Sequence, residues 1–372
     1  MERTLIATAA FGLEAVVRRE IEKLGYPVVK TENGKITFTG HEDAIARGNL
    51  WLRTADRVQV RMAEFMAADF EELFQNIAGI PWEEWIPVDG RIVVDAGSVK
   101  STLTSVPAVQ SVSAKAVYSR LTDFYGIEHF EESGPLFPIK VTLLKDRATV
   151  TLDTTGDGLF KRGYRVQEVA APMKETLASA LVQLSFYRKD RHLVDLCCGS
   201  GTIPIEAAML ARNIAPGLSR KFLAEEWPCL SPEIWKKARQ EAYAAMDLDV
   251  ELDIEAVDIE PSAIEAARAN ADAAGVGEDI RFTCMDMADF KAQGERGVIV
   301  MNPPYGERIG DREGIEHIYA SLAKLREEHP DWSLFLITSD KSVEESLGAA
   351  DRRRKLYNGR LEACYYQYHG VK

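Results

Sequence analysis

The sequence predicts an α/β protein in which short α+β blocks precede a doubly wound parallel sheet. Three observations carry that reading. Up to about residue 156, strand-like and helical stretches alternate in short blocks. From His192 onward, five apolar strand-length runs are each followed by a helical stretch. Between the two lies a polar linker centred on Lys161-Arg162-Gly163-Tyr164-Arg165. Blocks of the first kind suit an α+β unit of ferredoxin-like layout, and repeats of the second kind suit a parallel sheet with covered faces. The expected organisation is a ferredoxin-like segment over 1–55, a second α+β domain over 56–156, a linker over 157–172 and the parallel-sheet domain over 173–372.

In chain order, Thr4–Ala9 reads as a strand. The stretch Leu13–Leu24 places apolar residues at 13, 16, 17, 21 and 24, the spacing of one helix face, and Gly25 stops it. Lys35–Thr39 alternates as a strand, and a helix is expected around Glu42–Asn49. The pattern continues with a strand at Val58–Ala63, a helix at Phe70–Ile77 and a strand at Arg91–Asp95. A long helix over Val106–Tyr125 keeps Pro107 in its first turn, where no amide hydrogen is needed. Phe137–Leu144 and Ala148–Asp153 alternate and form a hairpin. The later strands are His192–Leu196, Asp253–Val257, Ile280–Cys284, Gly297–Met301 and Ser333–Thr338.

The chain has 372 residues, 46% of them apolar and 28% charged, as in soluble globular proteins. No run reaches the length of a membrane span and no signal-peptide pattern opens the sequence, so a cytoplasmic location is expected. Five cysteines without a CxxC pair give no zinc spacing, and no metal site is expected. The net charge of −13 counts against a uniformly basic nucleic-acid surface. Ala96–Thr122, however, contains no acid and carries Lys100, Lys115 and Arg120, the candidate phosphate contacts of the first part. Arg352-Arg353-Arg354-Lys355 is a second basic cluster, which a solvated loop would also explain.

Three motifs carry chemistry. Val194-Asp195-Leu196-Cys197-Cys198-Gly199-Ser200-Gly201-Thr202 ends an apolar strand in an acid and turns on glycines into a helix. Glycine lets backbone approach a ligand closely. Pro204 replaces the third glycine of the dinucleotide fingerprint, and Asp195 would repel a pyrophosphate, so a cationic ligand such as a sulfonium amino acid fits better. Asp258 ends the next strand, placed to accept from ribose hydroxyls after the interposed Asn213–Val250 stretch. Asp286 follows the third strand, placed for an adenine amino group.

The third motif is Asn302-Pro303-Pro304-Tyr305, directly after the strand Val298–Met301. The prolines fix the backbone and donate no hydrogen bonds. Asn302 Oδ1 and the Pro303 carbonyl can both accept from one planar NH2 group, and Tyr305 offers a face on which to stack a base. An exocyclic amine is a weak nucleophile, so positioning and two acceptors for its growing positive charge are what the transition state requires.

These residues resemble the THUMP-domain class I RNA methyltransferases, specifically the bacterial large-subunit (23S) rRNA guanine-N2 family. The resemblance covers nearly the whole chain. It takes in Gly12-Leu13-Glu14-Ala15, the 161–165 linker, Ala171-Pro172-Met173-Lys174-Glu175-Thr176-Leu177-Ala178, the two motifs above with Gly306-Glu307-Arg308, and Lys355-Leu356-Tyr357-Asn358-Gly359. It implies a ferredoxin-like segment and a THUMP domain that bind structured RNA, followed by a Rossmann-like domain that binds S-adenosyl-L-methionine. Some members carry a second methyltransferase; one is expected here. The cofactor residues implied are Asp195, Cys197, Gly199, Gly201 and Thr202, then Asp258, Ile259, Asp286, Met287 and Asn302. Lys174 and Thr176 would lie near the cofactor mouth or simply open a helix. Asn302, Pro303 and Tyr305 would hold the target base, and Lys161, Arg162 and Arg165 join the RNA-binding residues. The motif also serves adenine N6 and glutamine amides. Guanine N2 in tRNA, adenine N6 in nucleic acid and a catalytically silent RNA-binding protein therefore remain the alternatives.

Overall fold

The computed structural model describes every residue except Met1, residues 168–171 and 305–311, Arg360 and Lys372; at Arg312 it describes the backbone alone. The first part of the chain runs β1 (Arg3–Ala9), α1 (Glu14–Lys23), β2 (Val28–Glu32), β3 (Lys35–Gly40), α2 (Asp43–Trp51), β4 (Ala55–Met66) and α3 (Phe70–Ala78). It continues with β5 (Arg91–Val99), α4 (Val106–Tyr125), β6 (Leu136–Leu144) and β7 (Arg147–Asp153). The remainder runs α5 (Glu175–Leu184), β8 (Leu193–Asp195), α6 (Thr202–Ala211), α7 (Pro232–Ala244), β9 (Ile254–Asp258), α8 (Pro261–Ala273) and β10 (Ile280–Cys284). Then come β11 (Val298–Met301), α9 (Arg312–Glu328), β12 (Ser333–Thr338), α10 (Val343–Leu347), β13 (Arg352–Asn358) and β14 (Leu361–Tyr368).

Two compact units emerge. The first comprises Met1–Thr8, Arg18–Leu159 and Lys221–Gln240; the second comprises Ala9–Val17, Phe160–Arg220 and Glu241–Lys372. In the first, seven strands form one sheet in the order β2-β3-β1-β4-β7-β6-β5. The two α+β blocks expected over 1–55 and 56–156 therefore share a continuous sheet, joined where β1 neighbours β4. Leu5 and Ala7 of β1 pair with Phe38 and Ile36 of β3, and all four are buried, because alternate residues of both strands face the same side. Helix α4 has the expected bounds. Ser105 Oγ accepts from the Ala108 amide at 3.4 Å, and Gly126 closes the helix at φ +69°. Lys145 and Asp146 both take positive φ, the two-residue turn that matches the twist of the β6–β7 hairpin.

The interposed stretch supplies core to this first unit. Trp227 is 1% exposed, stacks on Phe137 at 5.0 Å and donates from Nε1 to the Leu136 carbonyl at 3.0 Å. Phe222 and Trp235 stack on each other at 5.6 Å. Trp227 and Trp235 of Asn213–Val250 are thus packing residues.

The second unit holds the other seven-stranded sheet, in the order β10-β9-β8-β11-β12-β14-β13. Strands β8 to β12 are parallel, while β14 is antiparallel to both β12 and β13. The expected doubly wound parallel sheet is thus extended by an antiparallel terminal hairpin, and Arg352–Lys355 is the start of its edge strand. Four consecutive cations hide the alternation of a strand, while Leu356 alone in that stretch is buried. Strand β2 also escapes sequence reading, since none of its residues is buried. From β8 the chain adds β9 and β10 on one side and β11 and β12 on the other. That reversal leaves a crevice outside the carboxyl ends of β8 and β11. No helix among the described residues is long and apolar enough to cross a membrane.

Candidate functional site

The three chemical motifs converge on the carboxyl edge of the second sheet. Asp195 closes β8 and is 1% exposed; its Oδ1 accepts from the Cys197 amide at 3.1 Å. Burial pushes its carboxyl well above the ordinary aspartate range, and the negative charge of Asp258 pushes it further. Asp258, at the end of β9, accepts from the Gly199 amide at 2.8 Å through Oδ2 and from the Glu260 amide at 3.0 Å through Oδ1. One acid thereby holds the glycine loop against the neighbouring strand. Each of its oxygens retains a lone pair for a further donor.

The loop geometry requires glycine at one position above all. Gly201 has φ +81°, and a Cβ there would lie 2.9 Å from Ala267 Cβ and 3.1 Å from Ala267 Cα. Ile259, directly after Asp258, is 61% exposed, an apolar face open beside the acid. Asp286 sits across from Asp258, since the Met285 amide donates to the Asp258 carbonyl at 3.1 Å. Its Oδ1 caps the turn at Ala288 (2.9 Å), and its carboxylate meets His317 Nε2 at 3.0 and 3.1 Å. The Ala288 amide first and His317 second hold this carboxyl below its usual range. The Met287 side chain is buried in the core cluster that holds Phe290 and Tyr319, which leaves its backbone for any contact with the cofactor. Cys197 and Cys198 are raised by burial and by the nearby aspartates, and stay thiols.

Asn302 is half-buried, Pro303 buried and Pro304 exposed, immediately beyond the fully buried β11. Tyr305 lies outside the described residues, as do Ala171 and the Gly306-Glu307-Arg308 run. Thr176 is buried in the first turn of α5, and Lys174 places its Nζ 4.6 Å over the Phe160 ring.

The linker residues depart most from expectation. Arg162 is 2% exposed, with its Nε 3.4 Å from Glu206 Oε1, which also accepts from Tyr164 Oη at 3.2 Å. Arg165 donates to the Met173 carbonyl at 2.8 Å and to Thr202 Oγ1 at 3.2 Å, and pairs with Glu175 at 3.0 Å. Arg162 is an interior brace beside the glycine loop, and its assignment to phosphate contact is corrected; Arg165 is part-buried and held by three partners there. Lys161 remains exposed. In the first unit Lys100 and Lys115 are exposed, whereas Arg120 grips the Glu83 carboxylate through both Nε (2.9 Å) and Nη2.

Sequence reasoning overlooks Asn270. This buried amide on α8 accepts from the Val166 and Gln167 amides at 2.8 and 2.9 Å, and donates to the Gln167 and Ser200 carbonyls at 3.0 and 3.1 Å. All four of its hydrogen-bonding positions are filled, tying the linker to the glycine loop. The signal was a polar residue at an apolar helical position, among Ala263, Ile264, Ala267 and Ala271.

Family models match three consecutive stretches: an RlmL ferredoxin-like domain over residues 4–59, a THUMP domain over 67–153 and an RMKL-like methyltransferase domain over 162–367. YpsC of Bacillus subtilis (strain 168), a candidate RNA methyltransferase, is 46% identical over 98% of this chain and 95% of its own. The ribosomal RNA large subunit methyltransferase K/L of Syntrophotalea carbinolica (strain DSM 2380 / NBRC 103641 / GraBd1) is 34% identical over 96% of this chain. The chain spans about half the length of that relative, 52%. Among solved structures, a Listeria monocytogenes str. 4b F2365 protein described as a predicted N6-adenine-specific DNA methylase superposes with a TM-score of 0.96. It is 45% identical, covering 100% of this chain and 97% of its own. SMU.472, a candidate methyltransferase complexed with S-adenosylhomocysteine, superposes with a TM-score of 0.94. It is 41% identical, covering 100% and 99% of the two chains. With its three domains in that order and its glycine loop, acids and Asn-Pro-Pro turn on one sheet edge, the chain belongs to the RMKL-like methyltransferase family.

Proposed function

We propose that this protein methylates an exocyclic amino group of a base in RNA, with guanine N2 of large-subunit ribosomal RNA as the target. S-adenosyl-L-methionine is the methyl donor; when bound, it supplies an electrophilic methyl group on a sulfonium. The observation that carries the reading is the adjacency, on one sheet edge, of the Asp195–Gly199–Asp258 cluster and the Asn302-Pro303 turn. The donor set fits the cofactor. Asp195 is a buried carboxylate suited to a cationic amino acid, Asp258 has spare acceptor capacity for ribose hydroxyls, and Ile259 offers an apolar face for adenine.

Asn302 Oδ1 and the Pro303 carbonyl accept from the target amine and keep its lone pair directed at the methyl carbon. As the nitrogen becomes positive, both acceptors bind it more tightly, which is differential binding of the transition state. The proton leaves afterwards to solvent. A target base within a duplex must first leave the stack, at a cost of a few kcal/mol. RNA as substrate rests on the THUMP domain and on the names of the curated relatives.

A second reading, adenine N6 in DNA, is favoured by the description of the Listeria neighbour. The deciding experiment offers labelled cofactor with total RNA and genomic DNA from a strain lacking the gene, followed by nucleoside analysis. Labelled N2-methylguanosine in large rRNA is expected. Label in N6-methyladenosine of RNA moves the target base, and label in DNA replaces the RNA reading.

A further inference from the structure

Two stretches that the resemblance singles out have no role in the site above: Gly12-Leu13 near the start and Lys355–Gly359 near the end. They are brought together within the second unit. Arg354 Nη1 donates to the Gly12 carbonyl at 3.1 Å. Gly12 has φ +89°, and a Cβ there would lie 2.6 Å from the Lys355 carbonyl oxygen. That contact sets the neighbouring Phe11 edge-on to Tyr357, with ring centroids 5.9 Å apart at 82°. Phe11 is nevertheless 47% exposed, and Lys355 Nζ lies 5.6 Å from the Tyr357 ring centroid.

Strand register gives the pair its place relative to Asn302. Met301 aligns with Leu336, Leu336 with Tyr366 and Tyr366 with Arg353. Tyr357 therefore lies four residues beyond the level of Met301, on the same carboxyl rim from which Asn302 emerges. Three strand spacings across and four residues of rise along give a separation of roughly 19 Å. That is too far for the target base and within reach of a nucleotide a few positions along the same strand. The rim is cationic, with Arg352, Arg353, Arg354 and Lys355 in succession. Acids among the described residues there include Glu344, which pairs with Arg353 at 3.2 Å, and Glu362, which pairs with Lys355 at 2.7 Å and accepts from Tyr357 Oη at 3.5 Å, with Asp351, which accepts from the His369 amide at 2.7 Å, and Glu14, which accepts from the Gly12 amide at 2.9 Å. The exposed pair of Lys355 with Glu362 is weak enough for a phosphate to displace.

We infer that Phe11, braced edge-on by the half-buried Tyr357, is the stacking platform for an unpaired nucleotide flanking the methylated base of the RNA. An exposed aromatic face among cations is how proteins hold single strands without reading their sequence. The inference rests on the RNA reading above.

Its test compares Phe11→Leu, which keeps apolar volume without a π-face, with Phe11→Trp, which restores one. Total RNA from the strain lacking the gene is the methyl acceptor, and S-adenosylhomocysteine affinity and thermal melts are measured alongside. Phe11→Leu is expected to raise KM for RNA about tenfold, with kcat and cofactor affinity within about twofold of wild type, while Phe11→Trp stays near the wild-type KM. Tyr357→Leu repeats the comparison from the other ring should Phe11→Leu fail to fold. A wild-type KM in Phe11→Leu, or equal losses in Phe11→Leu and Phe11→Trp, sinks the platform and leaves RNA methylation standing. If the wild-type protein labels DNA and no RNA, both readings fall together. Unchanged RNA kinetics with loss of a co-purifying protein would make the surface a protein-docking site instead.

Discussion

Asp195 is kept in the interior as a carboxyl whose charged form is disfavoured. Its folded-state value is raised above the unfolded one, so it costs no stability below about pH 4, and the cost grows as pH rises through the raised value. Asp195→Asn keeps an acceptor for the Cys197 amide and removes that cost. At neutral pH the variant is expected to melt higher, by about 2–4 °C for each kcal/mol recovered. Its S-adenosylhomocysteine affinity should fall, because the cation loses its counter-charge. Calorimetry of binding and a thermal melt on one preparation read both effects; a variant that melts lower and binds normally contradicts the assignment. Asn302 is expected to behave in the opposite way. Asn302→Ala should leave S-adenosylhomocysteine affinity within about twofold while lowering kcat by about 100-fold or more, since its acceptor matters only as the amine gains charge. Near-normal single-turnover rates would remove it from the amine site.

At the scale of elements, the glycine loop, α6 and α8 are a unit. Gly201 is tight against Ala267, so Gly201→Ala should abolish detectable cofactor binding; adding Ala267→Gly removes the Cβ contact but neither the 3.1 Å approach to the Cα of residue 267 nor the positive φ, and should recover only part of the affinity. Isothermal titration of the single and double variants checks the order. These elements also mark how far the sequence can be read. The strand–acid–glycine–helix signature of residues 194–210 and the Asn-Pro-Pro turn are continuous in the chain, so they can be read directly. The partners of Asn270 lie 70, 103 and 104 residues away, and those of Asp286 include His317, 31 residues on. No local pattern encodes such closures. Arg162 and Arg165 mislead for a related reason: charge in a polar linker reads as solvated, and only tertiary packing supplies the buried Glu206 and Glu175 that neutralise them. Parallel strands are legible from apolar runs, whereas the β13–β14 hairpin is masked by its cationic edge.

Across the whole molecule, the chain passes between the two units at residues 8–9, 17–18, 159–160, 220–221 and 240–241. Cutting at the linker does not therefore separate domains. A fragment of residues 1–159 lacks Trp227 and the strap around it, and it is expected to lose cooperative unfolding. In the intact protein, Trp227→Ala should destabilise the first unit by about 3–5 kcal/mol, measured by chemical denaturation. A fragment of 1–159 that unfolds cooperatively near the midpoint of the first unit in the intact protein would show the strap to be dispensable. Because Lys221–Gln240 is translated well after β7, the first unit to leave the ribosome cannot be the first to finish. It waits through 81 further residues, on the order of ten seconds at ordinary synthesis rates, with the Phe137 face uncovered. Nascent chains paused in that window should be held by chaperones, and a frameshift just past residue 160 should leave an insoluble product rather than a free-standing RNA-binding module.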